Sequence, residues 1–241
     1  MIWTLLFIAL VMIFGGDSPF MVKDLDKFVK HHVVDDVKKD KVLDYLKEAK
    51  AVRKKTVKAN NKLFKDFSKF EKSRDAKKED FEKIGSEMLK LQKESQAVNI
   101  KAIQNSLEYI TEDEWKAIQV DIGESFEKSK KKSAKGFAKI DKQFLKWVEK
   151  IKSTISDEAK RKKAVAAVER LREKFISNKK RVQDELLNHN SIIYQYKASE
   201  EELKEIQENY LKWAQEVFDV AIATHFELVE LTTPEEWSKI N

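Results

Sequence analysis

The stretch ITEDEWKAI, residues 110–118, returns as TTPEEWSKI at residues 232–240. Each copy sets a Thr three residues before a Glu that is followed at once by Trp: Thr111, Glu114 and Trp115, then Thr233, Glu236 and Trp237. A Thr hydroxyl that accepts from the amide three residues on, with the Glu side chain reaching back to the Thr N–H, is the capping box that opens an α-helix. Ile110, just before the first cap, is placed to pack on Trp115 as a hydrophobic staple. In the second copy Pro234 takes the first helical position, where its missing N–H costs nothing. Both phrases therefore read as helix starts, as fold punctuation and not as a reactive centre.

The likeness continues upstream at the same offset of 122 residues: Glu79 meets Glu201, Ile84 meets Ile206, Glu94 meets Glu216, Val98 meets Val220, Ile100 meets Ile222 and Glu108 meets Glu230. A looser echo sets LDKFVK (25–30) against IDKQFLK (140–146). Two related helical units are expected, residues 19–110 and 111–241, packed together as one elongated domain behind residues 1–18.

Composition agrees with an all-α chain. Of 241 residues only 5 are Gly and 2 are Pro, and 37% are charged, too few turn formers for a sheet protein of this length. Regularly spaced Phe, Leu, Ile, Val and Trp argue against disorder. The absence of Cys removes disulfides, thiolate nucleophiles and Cys-based zinc sites. The net charge of +6 is a small excess of 48 basic over 42 acidic residues, finely interspersed, which is the pattern of solvated helix faces and makes nucleic acid an unlikely partner.

Apolar spacings of three and four predict the individual helices. Asp17 and Ser18 before Pro19 start a short helix that runs to about residue 37. Long helices follow near 40–72, 77–109, 112–153, 157–196 and 200–231, the last two opened by Ser156 and by a Ser199 to Glu202 capping box. The expected fold is an elongated bundle of long antiparallel amphipathic helices with a short hydrophobic helix at the N-terminus.

That N-terminal segment is the strongest pointer to function. Ile2, Trp3, Leu5, Leu6, Phe7, Ile8, Leu10, Val11, Met12, Ile13 and Phe14 make residues 2–14 apolar except for Thr4. As a helix this stretch reaches roughly 20 Å, short of the hydrocarbon core of about 30 Å. No Lys or Arg precedes it and no small-x-small cleavage site follows, so a retained membrane anchor is favoured over a cleaved secretory signal or a buried helix. Lys23, Lys27 and Lys30 favour a cytoplasmic body, Asp24 and Asp26 dilute them, and the side of the membrane stays open.

Tests for catalysis find little. His31 and His32 each have an Asp four residues on, Asp35 and Asp36, which reads as a surface pair and not a metal site. His189 and His225 stand alone and read as core or boundary residues. No HExxH, Gly-x-Ser-x-Gly, phosphate loop or Rossmann fingerprint is present. No enzyme, cofactor or metal site is expected.

Two features are candidates for binding. Lys128, Lys130, Lys131, Lys132, Lys135 and Lys139 form a run without a local acid that suits an anionic surface, alongside Lys160 to Lys163. Trp115, Phe126, Phe137, Phe144, Trp147, Trp213 and Phe218 recur at helical spacing and read as core before groove. The function expected is a membrane-anchored, non-catalytic scaffold of the cell envelope that binds a protein partner or itself; the alternative is an exported, chaperone-like protein freed by signal cleavage.

Overall fold

The computed structural model describes residues 24–186 and 192–240. These are helical throughout, with no strand among the described residues: α1 (Leu25–His32), α2 (Asp36–Lys72), α3 (Lys78–Leu107), α4 (Glu112–Thr154), α5 (Glu158–Arg181), α6 (Glu200–Leu231) and α7 (Pro234–Ile240). The all-α bundle of long helices is thus observed, and α4, with 43 residues, reaches about 65 Å at 1.5 Å per residue. The segment ending at Phe14 and the helix start at Pro19 lie outside the described residues.

The 122-residue offset governs the structure. Helices end at His32 and Thr154 and begin at residues 36 and 158, 78 and 200, and 112 and 234. The equivalent stretches are therefore 25–118 and 147–240, joined by the centre of α4. This register pairs Leu25 with Trp147, so the LDKFVK echo, which had set Leu25 against Ile140, is a coincidence of composition.

The caps repeat with the helices. Asp35 accepts from the amide of Lys38 (3.0 Å) and Asp157 from the amide of Lys160 (2.9 Å). Thr111 and Thr233 accept from the amides of Glu114 and Glu236, and both glutamates accept from their Thr N–H at 2.9 Å. Ser199 and Glu202 complete a further box. Thr111→Ala is expected to lower stability by about 1 kcal/mol, read as a drop in the urea midpoint with an unchanged slope.

Three helix boundaries differ from the sequence expectation. The first helix stops at His32 instead of continuing to residue 37, because Asp35 leaves the helix to cap α2. Asp157, not Ser156, caps α5. The α-helix expected over 157–196 ends at Arg181 and passes into a π-helical turn (Val182–Leu186), and a 3₁₀ turn stands at Ile192–Tyr194; residues 187–191, His189 among them, lie outside the described residues.

Two hydrophobic clusters fill the rod, one toward each end, and each takes residues from both halves of the sequence. One gathers Val29, Val42, Ile103, Trp115 and Ile118 with Tyr194, Leu203 and Tyr210; the other gathers Ile151, Ala164, Phe218 and Trp237 with Phe64, Phe67, Phe81 and Met88. Moving by 122 carries many members of one set onto the other, as with Val29 and Ile151, Val42 and Ala164, Trp115 and Trp237, or Phe81 and Leu203. The halves exchange roles as the protomers of a two-fold dimer do, within one chain.

Helices α3 and α6 form the crossing of the two halves. A Cβ at Gly85 would overlap the edge of the Phe218 ring at Cε1 and Cζ, and Phe218 is itself fully buried and tilted against Phe67 at 5.9 Å. Gly85→Ala is expected to destabilise by about 1–3 kcal/mol, because the overpacking outweighs the roughly 1 kcal/mol that Ala gains as a helix former; chemical denaturation measures it.

Candidate functional site

The repeated phrase makes one more contact in each copy, and this contact crosses between the halves. Trp115 donates its indole N–H to the Tyr194 carbonyl at 3.0 Å, and Trp237 donates to the Lys72 carbonyl at 3.4 Å. Lys72 and Tyr194 are equivalent positions, each at the C-terminal end of the long segment of its half. Each Trp thus satisfies an end carbonyl belonging to the other half. Gln119 donates to the Tyr194 carbonyl as well. Two neighbouring contacts obey the same exchange: Tyr196 to the Ile110 carbonyl at 3.2 Å, and Arg74 to the Thr232 hydroxyl at 3.1 Å.

The capping glutamates also have second partners. The other carboxylate oxygen of Glu114 accepts from the Val34 amide at 3.0 Å, and that of Glu236 from the Ser156 amide at 3.2 Å. Burial pushes the Glu114 carboxyl up, but the N–H groups of Thr111 and Val34 outweigh it and hold the group below the ordinary range. The Thr233 amide does the same for Glu236 against a smaller burial cost. Two sequence-legible glutamates therefore tie each short helix start to the turn before α2 or α5.

Of the seven aromatic residues singled out by spacing, Trp115, Phe144, Trp147 and Phe218 are buried, while Phe126, Phe137 and Trp213 pack half-buried against the clusters. Phe137 stacks on Phe175 at 5.5 Å and carries the Lys179 ammonium 3.6 Å above its ring. Burial brings Lys179 down to about 8.

The basic run lies along the middle of α4, in the link between the repeats. Its expected lack of a local acid fails for two residues: Lys128 reaches Glu124 at 3.6 Å and Lys130 reaches Glu127 at 3.2 Å, one helical turn back. Lys131, Lys135 and Lys139 are exposed, and Lys132 belongs to the same helix.

The histidines are placed differently from the i, i+4 reading. His32 bonds to Asp121 of α4 at 2.9 Å, while Asp35 serves as a cap and Asp36 pairs with Lys39. His225 is buried among Phe81 (4.9 Å), Phe226 (5.0 Å) and Trp237 (5.3 Å), and burial lowers it to about 4. Among the described residues no group of three or more His, Cys, Asp and Glu is placed to hold a metal ion.

Sequence reading missed a buried amide-rich stripe on α3. Gln92, Ser95, Gln96 and Asn99 face inward where the other half carries Ala214, Val217, Phe218 and Ala221. Its i, i+3, i+4, i+7 spacing is a helical core face, but polar residues conceal such a face from an apolar count. An open groove of about 430 Å³ between α5 and α6 has Arg170, Lys174 and Thr224 in its lining. Both cations there are engaged, Arg170 with Glu227 and Lys174 with Glu216.

Comparison of the chain with protein-family models, with curated proteins and with solved structures finds no match. Among the described residues no helix is long and apolar enough to cross a membrane.

Proposed function

We propose that this chain is a non-catalytic helical scaffold, attached to a membrane of the cell envelope through its N-terminal apolar segment, which works by presenting a surface to a protein partner or to another copy. The repeat supports this reading by serving as an internal comparison: where one half exposes a side chain that the other half replaces with a different type, the fold does not depend on it. Val34 and Val37 are 84% and 74% exposed, where the equivalent turn of the other half carries Ser156 and Ala159. Val120, 65% exposed, lies on the start of α4, the segment that contacts the α1–α2 turn. Isolated exposed valines are ordinary on a protein surface, but apolar residues added to one half only are what partner binding requires.

Cell fractionation with alkaline extraction tests the attachment. The full-length chain is expected to stay with the membrane, and protease accessibility in intact cells then gives the side. A soluble form shortened by roughly 15–18 residues would instead support the exported, chaperone-like reading. For the partner surface, Val34→Ser with Val37→Ala installs the residues of the other half. This pair is expected to remove cross-linked species seen with the wild type while leaving the melting curve unchanged; identical cross-linking would reject the surface.

A further inference from the structure

We propose that a lysine stripe on α2 is a docking surface for anionic lipid headgroups. Lys54, Lys58, Lys62 and Lys65 follow one another at helical spacing, with Lys55 beside them, and all five are exposed. No acidic residue occurs from Ala49 to Lys65. Among the described residues none of the five has an ion-pair partner within 4.0 Å; Asp66 feels the charge of Lys62 but is itself bonded to Lys69 at 2.8 Å.

Like charges three and four residues apart destabilise a helix, so the stripe costs the fold something. The fold does not need it: the positions equivalent to Lys54, Lys55, Lys58 and Lys62 are Ile176, Ser177, Lys180 and Asp184, which retain one lysine and introduce an acid. The caps and the tryptophans are kept across the halves, whereas this charge is not.

Three observations select lipid over nucleic acid. The five exposed cations are all Lys, a point charge suited to a diffuse headgroup layer, and the one Arg of the acid-free stretch, Arg53, is half-buried, so the surface does not offer a row of Arg forks that read phosphates and bases bidentately. The large exposed apolar residues of the described chain are Val34, Val37, Val120 and Leu145, so no exposed aromatic ring interleaves with the lysines to stack on bases. The lysines occupy about 17 Å along one side of a single uninterrupted helix, a line that can lie along a plane. The choice of a membrane plane also rests on the proposed N-terminal attachment.

Full-length protein floated with vesicles of neutral phosphatidylcholine, and with vesicles containing phosphatidylglycerol, tests both ideas separately. The wild type is expected to bind anionic vesicles more tightly, with the excess lost at high salt. Each well-placed lysine multiplies such binding by about fivefold at most. The variant Lys54→Gln, Lys58→Gln, Lys62→Gln, Lys65→Gln is expected to lose about tenfold or more of the anionic excess and to keep its binding to neutral vesicles. A charge-matched control, Lys116→Gln, Lys152→Gln, Lys162→Gln, Lys239→Gln, removes lysines already paired with an acid one turn away and is expected to keep the excess. Helical circular dichroism and melting temperature report whether each variant folds.

An anionic excess that survives the stripe variant overturns the proposal. So does its loss only in Lys131→Gln, Lys135→Gln, Lys139→Gln, or a stripe-dependent affinity for a duplex oligonucleotide that exceeds the affinity for vesicles. Absent binding to neutral vesicles with a stripe-dependent anionic excess rejects the N-terminal anchor and leaves the lysine surface standing.

Discussion

Trp115→Ala is expected to cost about 3–5 kcal/mol, the range for emptying a buried Trp site. Trp115 is 1% exposed and its indole holds an end carbonyl of the other half, so the variant loses packing within a cluster and a clasp between halves together. Trp237→Ala is expected to fall lower in the same range, since Trp237 is 6% exposed, its bond is longer at 3.4 Å, and α7 has only 7 residues. Because the two indoles sit in different clusters, the double variant is expected to lose close to the sum of the single losses, and unfolding in urea provides the comparison. Trp115→Phe separates the contributions. The ring keeps most of the packing, and Gln119 still donates to the Tyr194 carbonyl, so a loss of about 1–2 kcal/mol is expected. Full stability in the alanine variants would mean that the repeated phrase does not hold the two halves together.

His225→Ile is expected to flatten the acid limb of the stability profile. The half that lacks this histidine has Ile103 at the equivalent place, itself 5% exposed, so the variant carries a side chain that this fold already accommodates. Burial lowers His225 from the ordinary 6.5 to about 4. A folded-state value below the unfolded one means that the unfolded chain takes up the proton more readily as the solution is acidified. The contribution is fully present above pH 6.5 and is lost as the pH falls toward 4, by about 3 kcal/mol at most for a shift of this size. Buried Glu71 is pushed well above the ordinary carboxyl range by burial, so its effect runs the other way, its contribution being lost as the pH rises. It is common to both proteins and cancels in the difference. Measured at pH 7 and pH 4, the stability gap between variant and wild type is expected to move in favour of the variant. A gap independent of pH would mean that His225 is not held neutral by its surroundings.

Helix starts were legible in the sequence because a capping box is a local device: Thr111 needs only Glu114 three residues on, and Ser199 only Glu202. Boundaries set by a competition between two local options were less so. Asp35 has the spacing to face His31 along one helix and the chemistry to cap the next, and it caps; Asp157 takes the same role beside Ser156. The basic run looked unopposed because Glu124 and Glu127 precede it in sequence, although a helical turn brings each beside a lysine. The candidate surfaces on α2 and at Val34 and Val37 were hidden for another reason. In a chain with 37% charged residues, a lysine stripe or an exposed valine becomes informative only when an equivalent position shows that the fold can do without it.

By itself the sequence determined the helical class, most helix starts and the existence of a 122-residue echo, since each depends on groups within a few turns or on simple self-comparison. Tertiary structure decided what the echo is for. Trp115 and Tyr194, like Trp237 and Lys72, are brought together by the crossing of α3 and α6 and by the run of α4 from one cluster to the other. Hydrophobic burial specifies that each apolar face must be covered but carries no label for which segment covers it; that choice depends on shape and on the chain path, and in this fold it exchanges the halves.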